Sequence, residues 1–413
     1  MARALCMGDN RCMSAETPVD SKRKVDRGEV APGCPVYAGP DGLYRIQDYA
    51  TARAILRSGD TRQAGFGAEN AARINGRMRM PVLYRDGAGH REHRRQTAKY
   101  FTPRRVDTAY RGLMERLAEK QCATLRRRGA ADLSELSFAL AVAVAGEVVG
   151  LTDGRGSMAR RLNRFFDNIQ PGDVPRTPKV LWGQLRNSFA MAAFYWRDVR
   201  PSVASRRRQR RDDLISHLIT EGCTMPEILG ECVTFAAAGM VTTREFITVA
   251  AWHLFTDDDL RAAYLRGDEP ARVAILHELL RLEPVVGNLY RWAGADLPVG
   301  DITVPAGAKI DLGVAAANLD PAAVGADPGA VCPGRPLADG VGDAGLSFGD
   351  GAHRCPGAYI AIQETDIFLT KLFALPGLRM VQEPRVRLRP EIASYEVVGL
   401  RVTVDRARAT SAR

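Results

Sequence analysis

Leu346-Ser-Phe-Gly-Asp-Gly-Ala-His-Arg-Cys-Pro-Gly357 is the most informative stretch of this chain. Its central residue is Cys355, and glycines stand before and after it. Glycine adopts backbone conformations that are closed to other residues, and it lets a flat ligand approach the chain closely. A thiolate in such a loop can hold a metal ion. From these residues alone, the alternative is a turn that enters a helix with a buried, inert cysteine, because cysteine is commonly buried.

The segment from Phe348 to Gly357 resembles the haem-binding loop of the cytochromes P450, whose pattern is Phe-Gly-x-Gly-x-His/Arg-x-Cys-x-Gly. Every fixed position of that pattern is filled. The resemblance implies haem b (iron protoporphyrin IX) as the cofactor, with Cys355 as the metal ligand whose thiolate pushes electron density onto the iron. It also implies a mainly α fold, a helix-rich triangular domain with a smaller β-sheet region. The loop residues that it assigns to haem binding are Phe348, Gly349, His353, Cys355 and Gly357.

Length and composition favour one large globular domain. The chain has 413 residues, of which 46% are hydrophobic and 26% are charged, and this balance supports a sizeable core. We expect a single domain over residues 31–405, a loosely ordered tail over 1–30 and a C-terminal tail over 406–413. No apolar run reaches the roughly 18 residues of a membrane helix, and residues 1–30 lack the apolar core of a signal peptide. These features predict a cytoplasmic enzyme without a membrane anchor.

The charge and the cysteines argue against several other classes of protein. The formal net charge is +10, but the basic residues are dispersed and the sequence contains no nucleic-acid-binding motif. An acidic protein partner fits this charge better than nucleic acid does. The 8 cysteines are scattered without a CxxC pair, so neither a disulfide framework nor a zinc site is predicted.

His90 and Arg94 are four residues apart, so a helix that begins at His90 carries both on one face. From the spacing alone, a solvated basic face explains the pair better than a binding site does. The P450 family places a His-x-x-x-Arg pair beside a haem propionate, and the resemblance assigns His90 and Arg94 to that contact. It assigns Arg291, in the segment that follows Pro284, to a further propionate contact. Arginine suits a carboxylate because its planar fork can donate two hydrogen bonds.

The longest predicted helix runs from Met225 to about Thr256, and at 1.5 Å per residue it is about 46 Å long. Its middle, Ala238-Gly-Met-Val-Thr-Thr243, resembles the oxygen-binding kink of the family's central helix. Gly239 would leave room for dioxygen, and the hydroxyl of Thr242 would interrupt the backbone ladder and hold water. Close packing of small residues in a buried helix is the alternative. The catalytic residues that the resemblance implies are Ala238, Gly239, Thr242 and Thr243.

Val241 departs from the family pattern, which usually has Asp or Glu immediately before the first threonine. A valine cannot carry protons. Either water, Thr242 and Glu245 supply the proton relay, or the substrate does, or the reaction does not insert oxygen. The type of oxidation therefore stays open at this point.

Glu278 and Arg281 are three residues apart, a spacing that is common on helices and is a weak signal by itself. In the resembled family a Glu-x-x-Arg pair joins another arginine to fix the core behind the haem. Arg335 is the candidate for that third position. The resemblance therefore implies a network that is structural rather than catalytic.

Side chains from separate parts of the chain are candidates for the wall of a hydrophobic substrate pocket. The stretch from Gln63 to Tyr84 corresponds to a loop over the pocket in the resembled family, although its apolar residues would equally serve to pack that loop down. The segment after Pro284 would approach the substrate, and Ser394-Tyr-Glu-Val397 could form a loop into the pocket. The candidates are Phe66, Leu83, Phe235, Val285, Val286, Asn288 and Tyr395.

The resemblance implies a bacterial haem-thiolate enzyme that activates dioxygen and hydroxylates a small or medium hydrophobic metabolite, in secondary metabolism. The chain has no nicotinamide or flavin motif of its own. Electrons would therefore come from NAD(P)H through a ferredoxin reductase and a ferredoxin. We expect a monomer that binds neither nucleic acid nor membranes.

Two other functions remain open from the sequence. Oxidative C–C or C–N coupling, nitration or another non-hydroxylating reaction is suggested by Val241, because radical coupling needs no inserted oxygen. A non-catalytic module that recruits a carrier protein, as degenerate relatives do, is disfavoured by the intact Cys355, Thr242 and His353.

Overall fold

The structure, a computed structural model, describes residues 23–27, 36–68, 78–154, 156–166 and 178–405. The rest of the expected N-terminal tail and the whole expected C-terminal tail lie outside the described residues. Residues 23–27, which we expected in the tail, pack on the core instead. Val25 is fully buried, and its N–H and that of Lys24 donate to the carboxylate of Glu283.

Helices form the larger part of the described chain, and we number the longer ones α1 to α13. The first are α1 (Tyr49–Arg57), α2 (Gly87–Thr97), α3 (Arg111–Arg128), α4 (Leu133–Val149), α5 (Met158–Phe166), α6 (Pro178–Phe194), α7 (Arg200–Arg208) and α8 (Leu214–Thr220). The others are α9 (Met225–Ala236), α10 (Thr242–Thr256), α11 (Asp258–Arg266), α12 (Glu269–Leu282) and α13 (Ala358–Phe373). Short helices lie at Pro103–Arg105, Val314–Ala317 and Pro321–Val324, and π turns at Val106–Tyr110 and Tyr195–Val199.

Aspartate caps fix the starting points of several helices. Asp48 accepts a hydrogen bond from the N–H of Thr51 across 2.7 Å and starts α1. Asp257 accepts from the N–H of Leu260 across 2.9 Å and starts α11. A side-chain oxygen at this position satisfies an N–H that has no partner in the first helical turn.

The sequence from Tyr110 to Leu151 is largely helical in pattern, but the structure divides it into α3 and α4. Gly129 ends α3 with a φ of 75°, a left-handed conformation that favours glycine. Asp132 then caps α4 by accepting from the N–H of Ser134. The break places α4 against α10 in the core.

The long helix that the sequence predicted from Met225 to about Thr256 is present as α9 and α10, joined by a π turn at Ala237–Val241. The π turn falls on the stretch that resembles the oxygen-binding kink. Such single π turns inside α-helices are frequent at functional sites. The kink itself packs on α4, so one side of it faces the core.

The strands form small sheets at the side of the helices. The largest sheet has the strand order β1-β2-β8-β5-β3. It contains the hairpin of β1 (Val36–Ala38) and β2 (Tyr44–Ile46), together with β8 (Lys309–Gly313), β5 (Asn288–Ala293) and β3 (Thr61–Ala64). The remaining strands are β4 (Ala130–Asp132), β6 (Leu297–Val299), β7 (Ile302–Val304), β9 (Arg379–Gln382), β10 (Arg385–Arg389), β11 (Ser394–Val398) and β12 (Arg401–Thr403). The mainly α fold class with a smaller β region is confirmed.

Two groups of buried apolar side chains hold these elements together. The larger group contains residues of α3, α4, α9, α10, α12 and α13. The smaller group lies between α1 and the five-stranded sheet, where Ile46, Ile310 and Leu312 are fully buried. None of the helices in the described part of the chain has both the length and the apolar content of a membrane span.

Candidate functional site

The loop of residues 348–357 is closed by its own backbone and is fitted closely against α1. The N–H of Cys355 donates to the carbonyl oxygen of Phe348 across 2.8 Å. Gly351 has a φ of 65°, and a Cβ at this position would lie 2.2 Å from the backbone oxygen of Leu56. Both the conformation and the space require glycine, so the loop has one position relative to α1.

Asp350 fastens the same loop to α1 through two guanidinium groups. Its Oδ2 accepts from the Nε of Arg53 at 3.0 Å and from the Nε of Arg57 at 2.9 Å. Burial raises the pKa of Asp350, but the backbone N–H of Gly351 and the two arginines lower it by more, so the group is ionised. The loop is therefore held from its middle as well as from its ends.

Cys355 is exposed as a residue, while its sulfur lies deep among the surrounding protein atoms. Burial raises the pKa of the thiol, while the backbone N–H of Gly357 and the charge of Arg94 lower it. Gly357 is the residue before α13, so the sulfur lies near the positive end of that helix. Pro356 has no N–H to offer, which leaves the sulfur with fewer backbone donors.

His90 and Arg94 of α2 both face the Cys355 loop. The ring of His90 stacks on the ring of His353 with centroids 4.2 Å apart, and Arg94 donates to the carbonyl oxygen of Arg354. Burial lowers the pKa of His90 to about 4, so this imidazole is neutral at pH 7. Its Nδ1 is buried and has no hydrogen-bond partner within the described part of the chain.

Arg291 of β5 is a buried guanidinium that forms no salt bridge with the described residues, although the charge of Asp86 acts on it. It donates to the side-chain oxygen of Gln63 at 2.7 Å and to the carbonyl oxygen of Tyr290 at 2.8 Å. No carboxylate of the described residues lies within salt-bridge distance of Arg291. Burial lowers its pKa to about 10, and the charge of Asp86 opposes that shift. A buried cation of this kind calls for an anionic partner, because an unpaired buried charge is costly.

Asp86 links Arg291 to the Cys355 loop. Its Oδ1 lies 2.9 Å from the Nε2 of His353, and its Oδ2 accepts from the N–H of Gln63 at 3.0 Å. These contacts thus hold three groups in one region, namely Cys355, the Nδ1 of His90, which has no partner among the described residues, and the guanidinium of Arg291. A thiol ligand beside such groups fits a haem, whose propionates would take up the cationic donors.

The kink of the long helix exposes one edge of its backbone and buries the other. Ala238 is exposed, Gly239 and Thr242 are half-buried, and the hydroxyl of Thr242 donates to the carbonyl oxygen of Ala238 across 2.6 Å. Thr243 is buried in the core. Successive helical residues point about 100° apart, so only Thr242 of the two threonines faces the exposed edge, and Thr243 is left out of the site proposed below.

The carboxylate of Glu245 is bound by groups other than Thr242. Its Oε2 accepts from the N–H of Val397 at 2.7 Å, and its Oε1 is bound to Arg244. Burial raises the pKa of Glu245 to about 7, against the opposing charge of Arg244. These contacts join α10 to β11, so the carboxyl group serves packing and is not a direct replacement for the acid that Val241 lacks.

The pocket candidates are distributed between half-buried and buried positions. Phe66, Leu83, Phe235, Val286 and Asn288 are half-buried, and Val285 is buried. Asn288 donates to Asp311 Oδ1 at 2.7 Å, and the ring of Phe235 stacks on that of Phe101 with centroids 5.9 Å apart.

Tyr395 lies in the core rather than in a loop. The stretch that could have formed a loop is strand β11, paired with β10. Tyr395 is 1% exposed, and its hydroxyl donates to the backbone oxygen of Glu283 at 3.1 Å. Because the ring and the hydroxyl both have structural partners, we omit Tyr395 from the pocket proposed below.

Glu278, Arg281 and Arg335 lie together in the core. Arg281 donates to both carboxylate oxygens of Glu278 at 2.7 Å, and the Nε of Arg335 donates to the same carboxylate at 3.0 Å. Both arginines also donate to backbone oxygens, among them that of Ala330. The group therefore fixes the chain after β8 onto α12.

Several residues of this region were not found from the sequence. Gln63 contacts Arg291, and Asp86 contacts His353. The buried His93 of α2 and Glu231 of α9 also form a pair, in which the Nε2 of His93 lies 3.8 Å from the Oε1 of Glu231. His93 was visible as a polar residue between His90 and Arg94. The others gave no signal, because their partners come from distant parts of the chain.

Known proteins resemble this chain along most of its length. The family model described as Cytochrome P450 matches residues 270–380. Erythromycin C-12 hydroxylase of Saccharopolyspora erythraea is 27% identical over 365 residues, which cover 86% of this chain and 87% of that protein. Steroid C26-monooxygenase of Mycolicibacterium smegmatis is 27% identical over 319 residues, which cover 75% of this chain and 76% of that protein.

A solved structure shows the same fold. The crystal structure of P450BioI in complex with a fatty-acid-ligated acyl carrier protein matches with a TM-score of 0.73 at 21% identity, covering 90% of this chain and 95% of that one. The fold predicted from the Cys355 loop is confirmed.

Proposed function

We propose that this chain, which belongs to the cytochrome P450 family and is therefore an oxidoreductase, hydroxylates a small or medium hydrophobic metabolite with dioxygen. The observation that carries the proposal is the position of Cys355 in the same region as the buried guanidinium of Arg291, which forms no salt bridge with the described residues. Relatives named as hydroxylases of erythromycin and mycinamicin support a role in bacterial secondary metabolism.

The family implies a haem cofactor, and the residues present fit it. Cys355 would supply the thiolate ligand, with Phe348, Gly349 and Gly357 shaping the loop around it. His90, Arg94, His353 and Arg291 would donate to the propionates, and the free Nδ1 of His90 makes it suited to this contact. When bound, the haem supplies the activation of dioxygen with external electrons.

At the kink between α9 and α10, residues of this chain would leave space for the reacting molecule and help to deliver a proton. Ala238 and Gly239 place little bulk at the kink, which leaves room for a small molecule beside the helix. The hydroxyl of Thr242 is held by Ala238 and can still accept a hydrogen bond or pass a proton. Val241 can do neither, so water at Thr242 would supply the proton. Phe66, Leu83, Phe235, Val285, Val286 and Asn288 would form the pocket wall.

Electrons would come from outside the chain, since the family uses external redox partners. The electrons would come from NAD(P)H and would pass through a ferredoxin reductase and a ferredoxin. The protein would act in the cytoplasm as a monomer. Exposed arginines near the Cys355 loop suit an acidic donor. Among the basic residues there, Arg104 is exposed, while Arg95 pairs with Glu92 at 2.7 Å.

A carbon monoxide difference spectrum of the reduced, haem-loaded protein tests the proposal. We expect the band that is specific for a thiolate ligand, and we expect the Cys355→His variant to lose it while still binding haem. Absence of the band from the wild-type protein would refute the assignment of Cys355. A screen of hydrophobic metabolites for a shift in the spin state of the iron would then identify the substrate class.

A second candidate function rests on Val241. Because this helix lacks an acid before Thr242 and Glu245 is bound elsewhere, oxidative coupling, nitration or another reaction without oxygen insertion is the alternative. Turnover under labelled dioxygen separates the two. Label in the product supports hydroxylation, and an unlabelled, coupled product supports the alternative.

A further inference from the structure

Helix α9 holds the backbone of the loop of residues 79–84 through two glutamates one turn apart. Glu227 Oε1 accepts from the N–H of Arg79 at 2.8 Å, and Glu231 Oε1 accepts from the N–H of Val82 at 2.9 Å. Residues four apart lie on one face of a helix. The loop of residues 79–84 therefore lies along one face of α9.

The same face is shaped to receive the loop closely. A Cβ on Gly230 would lie 3.1 Å from the Cγ of Pro81, tighter than most van der Waals contacts. Pro81 and Val82 are buried, and Glu231 is 4% exposed. The loop is thus packed into the protein at this point, and Glu231 bonds it from inside.

The surroundings of Glu231 are polar although they are buried. Its Oε1 lies 4.0 Å from the Nη2 of Arg85 and 3.8 Å from the Nε2 of His93. Within the described chain, the other carboxylate oxygen of Glu231, that nitrogen of His93 and the Nε and Nη2 of Arg85 have no hydrogen-bond partner. The contact with Val82 is therefore the one hydrogen bond that this carboxylate makes among the described residues.

The loop carries residues that we place at the substrate. Leu83 lies within its short helical turn at Val82–Tyr84, and the hydroxyl of Tyr84 donates to the backbone oxygen of Phe66 at 2.9 Å. Two candidates for the pocket wall are thus joined through this loop. A shift of the loop relative to α9 would move both.

We propose that Glu231 is a positioning residue that docks the 79–84 loop on α9 and thereby sets the shape of the substrate pocket. Glu227 assists at the start of the loop but also caps α9, since its Oε2 accepts from the N–H of Thr224 at 2.7 Å. Glu231 does not cap the helix, and besides Val82 its carboxylate lies near Arg85 and His93. The inference rests on the proposed function, because it takes Leu83 and Phe66 to face the substrate.

Hydrogen exchange of the haem-loaded full-length protein tests the docking directly. In Glu231→Leu the Val82 amide loses its acceptor, and we expect its exchange to accelerate by at least about fivefold, as loss of one hydrogen bond implies. In Glu231→Gln the side-chain oxygen remains, and exchange should stay near the wild-type rate. Unchanged exchange at Val82 in the leucine variant would overturn the docking.

Binding of two probes tests the consequence for the pocket. We expect Glu231→Leu to weaken binding of 4-phenylimidazole by about fivefold and to leave binding of imidazole, which lacks the phenyl ring, within about twofold of wild type. Equal effects on both probes, or none on either, would overturn the role in shaping the pocket. Glu364→Gln is the matched control, because it also removes a buried carboxylate but has no contact with the loop.

Gly230→Ala keeps both glutamates and is the second variant if Glu231→Leu does not fold. Its methyl group would press on Pro81, and we expect faster exchange at Val82 with the same selective loss of 4-phenylimidazole binding. Unchanged values in this variant would count against the proposal. A missing thiolate band in the carbon monoxide spectrum would defeat the proposed function while leaving the exchange result valid, so the two failures can be told apart.

Discussion

Arg291 donates a hydrogen bond to the side-chain oxygen of Gln63 across 2.7 Å, although the two residues are 228 positions apart in the chain. The antiparallel register of β3 and β5 places them directly opposite each other. The pair leaves the guanidinium oriented and buried, with no carboxylate at salt-bridge distance in the described part of the chain. This arrangement is what a site prepared for an anionic group requires.

Arg291→Gln is expected to weaken haem retention by about tenfold to a hundredfold, because a hydrogen bond to a charged group contributes about 1.5–3 kcal/mol. The rate of haem transfer to an excess of apomyoglobin measures the effect. Arg401→Gln, at an exposed position of β12, is the control and should behave as wild type. Equal retention in both variants would contradict the assignment of Arg291 to a propionate.

Pro356→Ala is expected to raise the reduction potential of the haem. The substitution adds a backbone N–H beside the sulfur, and a donor there draws charge from the thiolate. One hydrogen bond of about 1 kcal/mol corresponds to roughly 40 mV for one electron. A spectroelectrochemical titration measures the shift, with Pro376→Ala in an exposed turn as control. An unchanged or lower potential would disprove this account of the proline.

Glu278→Ala is expected to reduce the free energy of unfolding by about 3–5 kcal/mol, because it leaves Arg281 and Arg335 as buried charges without their carboxylate. Urea denaturation of the wild type and the variant measures the loss. Glu383→Ala, at an exposed turn between β9 and β10, serves as the control. A loss under about 1 kcal/mol would mean that the two arginines are satisfied by backbone oxygens alone.

Glu364 of α13 is expected to make the protein less stable as the pH rises. Its side chain is 2% exposed and its Oε1 has no hydrogen-bond partner among the described residues. Burial raises the pKa of Glu364 from 4.5 to about 8. Between these values the native state holds a proton that the unfolded chain has lost, so the free energy of unfolding falls as the pH rises through this window.

Glu364→Gln removes that titration. We expect the variant to gain stability relative to wild type between pH 5 and pH 8, by about 3–4 kcal/mol, since one pKa unit is worth about 1.4 kcal/mol. Denaturation curves at the two pH values give the difference directly. Parallel changes of wild type and variant would show that the carboxyl group is hydrated in the native state.

The Cys355 loop and the long helix could be predicted from the sequence because their signals are local. The glycine at 351 has a conformation that few other residues adopt, and the run of small residues around Gly239 falls where the helix contains its π turn. The family resemblance rested on such short patterns. They were sufficient for the fold.

Contacts between distant segments were decided by the tertiary structure alone. The register of β3 against β5 places Gln63 opposite Arg291. The packing of α10 on β11 gives Glu245 a hydrogen bond to the N–H of Val397, so its carboxylate does not serve Thr242. Tyr395, a candidate for the pocket wall, is buried in β11. The docking of Val82 on Glu231 joins residues 149 positions apart. A side chain's partner depends on which faces the packed core brings together, and this chain's local patterns do not contain that information.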